Sequence, residues 1–152
     1  MMPLQSNIDT TLGNTIEKAA DFHGHLGPFL VMGVRIGLIG LRELELKQGA
    51  KRLQVTASLK YSVPFSCVLD GIQVATGCTF GNKKLTLIDS HGIAAKFRLP
   101  NQEQTIVAVN QTVFNKLKKE LLSKRASNHE VEELARLIAS TPEKDLFVTK
   151  KK

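Results

Sequence analysis

The stretch Leu85-Thr86-Leu87-Ile88-Asp89-Ser90-His91-Gly92-Ile93-Ala94-Ala95-Lys96-Phe97-Arg98-Leu99-Pro100-Asn101-Gln102-Glu103-Gln104-Thr105-Ile106-Val107-Ala108-Val109-Asn110 decides the fold class. Leu85–Asp89 reads as a strand and Ser90-His91-Gly92 as a turn, with Ala94–Leu99 as the hairpin partner. Pro100-Asn101-Gln102 turns the chain again, and Thr105–Asn110 is the next strand. Consecutive strands joined by short turns run antiparallel. Upstream, Leu53, Val55, Ala57, Leu59 and Tyr61 alternate with Gln54, Thr56, Ser58 and Lys60. That period of two marks a strand with one buried and one polar face.

Helical signals surround these strands. The first helix is expected over Asp9–Phe22 and the second from Pro28 to about Leu46, with Pro28 in its first turn. Gly33, Gly37 and Gly40 recur at helical spacing in the second. Each costs about 1 kcal/mol relative to Ala, so they imply a close backbone approach to a sheet, a helix or a second copy of the chain. A third helix covers Ser66–Thr76, with Gly77 suited to its left-handed cap. Gln111–Lys124 is helical, Ser127 and Glu130 have capping-box spacing for a helix ending near Ser140, and Thr141-Pro142 starts one more turn. The order predicts an α+β fold, with helices packed on a mainly antiparallel four- to five-stranded sheet. Residues 1–125 form the core. Residues 126–152 form a helical extension with a basic tail, in the same domain or as a small appendage.

Composition excludes several classes. The chain has 152 residues, two cysteines and a formal charge of +7. Two cysteines are too few for a disulfide scaffold or a four-cysteine zinc ribbon. The N-terminus lacks the basic and apolar regions of a signal peptide. The most apolar run, Phe29–Leu41, is too short to span a bilayer and is interrupted by Arg35. The expected compartment is the cytoplasm, and no membrane partner is expected. Residues 116–152 carry ten of the 21 basic residues, ending in Lys150, Lys151 and Lys152. A solvated helical face with a frayed tail is one reading, and a patch for nucleic acid or an acidic partner is the other. Aromatics are scarce and no nucleic-acid motif accompanies the charge.

Three groups can carry chemistry. His23-Gly24-His25 places two imidazoles where a bending backbone can aim both at one metal, or leave both on the surface. Cys67 opens the third helix, where an N-terminus favours thiolate, unless it is simply a buried thiol. Asp70 and Gln73 follow at helical spacing on its face. Cys78 lies just past the helix end. A continuous helix would hold Cys67 and Cys78 about 16 Å apart, too far for a disulfide or a shared intrachain metal. A site therefore uses the histidines with one cysteine, or residues of two protomers.

These segments carry a resemblance. His23-Gly24-His25-Leu26-Gly27-Pro28 precedes an apolar glycine-bearing helix, and Cys67-Val68-Leu69-Asp70-Gly71-Ile72-Gln73 and Thr76-Gly77-Cys78-Thr79-Phe80-Gly81 follow. With Asp89, Gly92 and Lys96-Phe97, the order and spacing over residues 15–110 resemble the FmdE family, named for the E component of formylmethanofuran dehydrogenase. The resemblance implies an α+β core, an intertwined homodimer and a metal-associated cleft between the H-G-H segment and the cysteine-bearing helix. No cysteine follows Cys78 in these residues, so the C-terminal zinc ribbon of some members is not expected here. The family pattern H-G-H-x-C-P-G meets Gly27 at its cysteine and Phe29 at its final glycine, so one thiolate is missing.

The remaining metal candidates are His23, His25, Cys67 and Cys78, with Cys67 and Asp70 as candidate catalytic groups. Imidazoles plus one thiolate suit zinc, with water as a fourth ligand. The resemblance implies a metal-binding accessory protein, or an enzyme of one-carbon or redox metabolism, associated with a larger molybdenum or tungsten oxidoreductase. The alternative is a non-catalytic dimeric regulatory module, binding protein or nucleic acid, that has lost the full metal site.

Overall fold

The computed structural model describes residues 10–123 and 126–151. Asp9, Lys124 and Lys152, at a predicted helix start, a helix end and the tail, lie outside them. The elements run α1 (Thr10–His23), α2 (Pro28–Glu43), β1 (Gln54–Leu59), α3 (Cys67–Thr76), β2 (Leu85–Asp89), β3 (Ala94–Arg98) and β4 (Gln104–Val109), then α4 (Gln111–Ser123), α5 (Asn128–Ser140), α6 (Glu143–Leu146) and β5 (Phe147–Lys151). The fold is α+β, as the sequence pattern predicts, with a five-stranded, mainly antiparallel sheet.

α2 is the central element. Twelve of its sixteen residues are buried, because α1, α3, α5 and the sheet all pack on it. A helix surrounded on every side is apolar all round rather than amphipathic. Its most extensive contact is with α3. A Cβ at Gly33 would stand 2.1 Å from the Val68 carbonyl oxygen, and one at Gly71 would stand 2.3 Å from that of Leu30. The two backbones therefore touch. Further along α2, Gly40 receives the ring of Phe97 from β3, where a Cβ would meet it at 2.5 Å. The glycine stripe thus serves packing within the chain. α2 ends at Glu43, a turn earlier than its apolar pattern suggests, because Glu45 enters the left-handed region at φ 56° and Leu46 N–H bonds back to Leu41.

The sheet order is β2-β1-β3-β4-β5. β3 and β4 pair antiparallel, as expected. The predicted hairpin of β2 with β3 does not form, because β1 lies between them, parallel to β2 and antiparallel to β3. α3 supplies the crossover that a parallel pair requires. Residues 90–93 then step over β1, a distance of about 10 Å between alternate strands that a few extended residues can cover. A turn-rich linker looks the same locally whether it closes a hairpin or skips one strand.

Lys150 and Lys151 are also placed differently from a frayed tail on a helical face. Phe147–Lys151 is an edge strand paired antiparallel to β4, with the buried Phe147 opposite Val109. Arg35 fastens this region to α2. Its Nη1 donates to the carbonyls of Ile138 at 2.8 Å and Thr141 at 2.5 Å, and its guanidinium lies 5.6 Å from the Phe147 ring centroid. These bonds satisfy carbonyls at the C-terminus of α5, where a cation is favourable. Ala135, Ile138, Leu146 and Phe147 join the same apolar core as α2 and α3.

The contact between α2 and α3 yields a stability test. Gly33→Ala forces a methyl into the Val68 carbonyl and should cost about 3 kcal/mol, lowering the thermal midpoint by about 10 °C. Gly13→Ala, in α1 with nothing within 4 Å of its Cβ, should instead gain about 0.5–1 kcal/mol. Equal midpoints for the two variants would contradict the backbone contact.

Candidate functional site

His23 is the last residue of α1, and Asp70 lies in the first turn of α3. Gly24 turns the chain after the helix at φ 103°, with its N–H on the Ala20 carbonyl. This places His23 Nδ1 at 2.6 Å from Asp70 Oδ2. Asp70 is itself held. Gln73 Nε2 donates to Asp70 Oδ1 at 3.3 Å, and the Phe80 N–H donates to Gln73 Oε1 at 3.1 Å. A carboxylate accepts, so Nδ1 carries the proton and the lone pair of neutral His23 sits on Nε2. That Nε2 is buried and has no hydrogen-bond partner among the described residues. An unpartnered buried imidazole nitrogen whose other nitrogen is fixed by a carboxylate is the usual arrangement of a histidine metal ligand and its supporting shell.

His25 is exposed, and its ring centroid stands 4.6 Å from that of His23. Both histidines line a cavity of about 210 Å³, together with Gly27, the first turn of α2 and Cys67. Its far wall is apolar and comes from α4 and α5, through Leu121, Leu122 and Val131. Nothing in the local sequence of those helices marks them as part of a site. An amphipathic pattern shows only which face is buried, not which cavity it closes.

Gly27 occupies the centre of this arrangement. It is the N-cap of α2, extended at φ −140°, and offers no side-chain cap. A Cβ there would lie 3.6 Å from His25 Nε2 and 3.5 Å from Val131 Cγ1. A side chain at this position therefore reaches the imidazole, and glycine leaves that volume to the cavity. A larger open cleft of about 570 Å³ lies by α2 and α6, lined by Arg35, Arg42 and Glu143. Its two arginines are engaged: Arg42 holds Glu143 in a bidentate pair at 2.6 and 2.9 Å, and Arg35 binds carbonyls. The smaller cavity has the chemistry.

The cysteines differ from the expectation in ionisation. Both thiols are free and buried. Burial pushes the Cys67 thiol above its ordinary range and the Asp70 charge pushes it further, outweighing the lowering by its backbone hydrogen bond. A helix start therefore does not make this thiol a thiolate. Cys78 is fully buried beyond α3, with its Sγ 3.5 Å from the Leu53 carbonyl oxygen. It does not line the cavity. Among the described residues, no three His, Cys, Asp or Glu side chains converge closely enough to hold a metal as they stand. His23, His25, Asp70 and Cys67 are brought to one place, and Cys78 is not.

Comparison with known proteins agrees with the fold. The family described as "FmdE, Molybdenum formylmethanofuran dehydrogenase operon" matches residues 22–148. A "Probable S-adenosyl-L-methionine-binding protein" of Archaeoglobus fulgidus is 35% identical over 85 residues, which cover 56% of this chain and 23% of that protein. The match thus spans under a quarter of that relative's length. A crystal structure of a tungsten formylmethanofuran dehydrogenase FmdE-like protein from Syntrophus aciditrophicus has a similar fold, with a TM-score of 0.61 at 19% identity, over 92% of this chain and 71% of that one.

The thiol environment can be read by alkylation. With iodoacetamide, Cys67 should react slowly at neutral pH, with a rate inflection above that of a free cysteine. Asp70→Asn removes a negative charge and should move that inflection down. An unmoved inflection in a folded variant would show that Asp70 does not act on the thiol.

Proposed function

The chain belongs to the FmdE family, and from that premise we propose that it is a metal-binding accessory protein of a molybdenum- or tungsten-containing oxidoreductase in one-carbon metabolism. The observation that carries the proposal is the buried, unpartnered Nε2 of His23, with its Nδ1 fixed by Asp70. The donors suit zinc: two imidazoles and one thiol beside a small cavity, with room for water. His23 and His25 would hold the ion, with Cys67, which lines the same cavity, as the third donor. Cys78 is the weaker candidate, since its sulfur faces a carbonyl across the core. Asp70 positions His23 through its Nδ1 rather than touching a substrate.

Zinc held there would supply Lewis-acid charge, and Cys67 would ligate as its thiolate. The protein's own groups bind and orient. α4 and α5 wall the cavity with apolar side chains and limit the access of water. The homodimer belongs to the same proposal, supported by the exposed apolar side chains of Phe22, Tyr61 and Val63.

The second reading, a non-catalytic module that has lost the full site, rests on Gly27. One donor is missing where a side chain would reach His25. The name of the Archaeoglobus relative raises S-adenosylmethionine as a ligand. The cavity of about 210 Å³ is below the range of roughly 300–1,000 Å³ in which cofactor-sized ligands are usually enclosed.

Metal content separates the readings. Protein purified without chelator should carry zinc in a fixed ratio to chain by elemental analysis, and added zinc should raise its thermal midpoint. His23→Ala and Cys67→Ser should abolish the zinc, and Asp70→Asn should weaken binding by about 10–100-fold. Gly27→Cys should tighten it. Metal-free protein whose midpoint ignores zinc would leave the non-catalytic reading standing.

A further inference from the structure

The helices touch the sheet on one face only in the contacts that define the core, Gly40 against Phe97 and Arg35 against Phe147. The strand residues that point the other way are nowhere buried: each is half-buried or exposed. The registers place Lys96, Ile106 and Lys150 side by side across β3, β4 and β5. Two residues along, Ala94, Ala108 and Val148 stand in the next row. On the other side of Lys96, Arg98 lies opposite Gln104. The side chains of Lys96, Arg98 and Lys150 have no hydrogen bond or ion pair among the described residues, and no outward strand residue is acidic. The face is thus cationic around a small-residue, apolar centre that includes Ile106 and the half-exposed Val148.

We infer that this open sheet face docks a partner protein presenting an acidic rim around an apolar strip. Charge complementarity selects the sign of the partner. Lys96 and Lys150 are two strand spacings apart, about 10 Å, which matches carboxylates two turns apart on a helix, about 10.5 Å. Ile106 between them offers the apolar contact. A second copy of this chain fits poorly, because two-fold pairing of the face sets its three cations against three more. Single-stranded nucleic acid also fits poorly. None of the outward strand residues is aromatic, so bases have nothing to stack on, and a phosphate backbone leaves Ile88, Ile106 and Val148 uncovered. The inference does not depend on the metal site, which lies by α1, α2 and α3.

The test uses the full chain and three fluorescent probes. One is an amphipathic helical peptide with a Glu polar face and a Leu apolar face; the others are its Lys-for-Glu counterpart and oligo(dT). Fluorescence anisotropy should show binding of the acidic peptide alone, weakening as salt rises. The double variant Lys96→Glu/Lys150→Glu should lose that binding by at least about tenfold, with an unchanged circular dichroism spectrum and melting curve. Lys18→Glu/Lys51→Glu should keep it. Undiminished binding in the sheet-face variant overturns the inference. Tighter binding of oligo(dT) makes the face a nucleic-acid surface and also overturns it. So does sedimentation showing that the sheet-face variant alone loses self-association.

Discussion

Two helix backbones in direct contact organise this molecule. α2 and α3 meet where Gly33 faces the Val68 carbonyl and Gly71 faces that of Leu30. Any side chain at either position would push the helices apart. The approach fixes the site as well as the core, because Asp70 precedes Gly71 on α3. α1 also packs on both helices, which brings its last residue, His23, over that carboxylate. The hydrogen bond is a consequence of the packing. No local preference of either segment would make it.

The electrostatics of the site follow from one charge in a largely apolar setting. Asp70 fixes the His23 proton on Nδ1 and is itself braced by Gln73, which is braced by the Phe80 backbone. Burial, with the same charge adding to it, keeps Cys67 a thiol. The arrangement therefore lines one cavity with an imidazole Nε2 that has no partner among the described residues and with a protonated thiol. A bound cation would reverse the balance for the thiol, since its charge opposes that of Asp70. Gly27 leaves open the volume from which a further donor would reach His25.

The sheet separates two kinds of surface. Its inner face is covered by the helices and holds Val55, Phe97, Val107 and Phe147 in the core. Its outer face carries small, polar and cationic residues around the apolar Ile88, Ile106 and Val148, and none of its strand residues is acidic. The lysines of the C-terminal strand divide between interior pairing and exterior charge. Their backbones complete the sheet through β4, while the side chain of Lys150 joins Lys96 on the outside. A charge run that looks like a solvated tail thus becomes part of a surface with defined spacing.

Much of the fold was legible in the sequence because local signals carried it. The alternation of Leu53–Leu59, the capping box of Ser127 and Glu130, and Gly77 at a left-handed cap each reflect a backbone preference that neighbours do not overrule. The small-residue stripe of α2 likewise announced a close approach. The sequence could not say what approached, because a stripe has no label for its partner. The insertion of β1 between β2 and β3, and the meeting of His23 with Asp70, 47 positions apart, were decided by the tertiary structure. So was the wall that α4 and α5 lend to the cavity. Each joins segments distant in the chain, and such contacts are set by how the helices and sheet bury their apolar faces together. The chain itself determined which residues could do chemistry; the packing of α2 on α3 decided which of them share one place, leaving Cys78 outside.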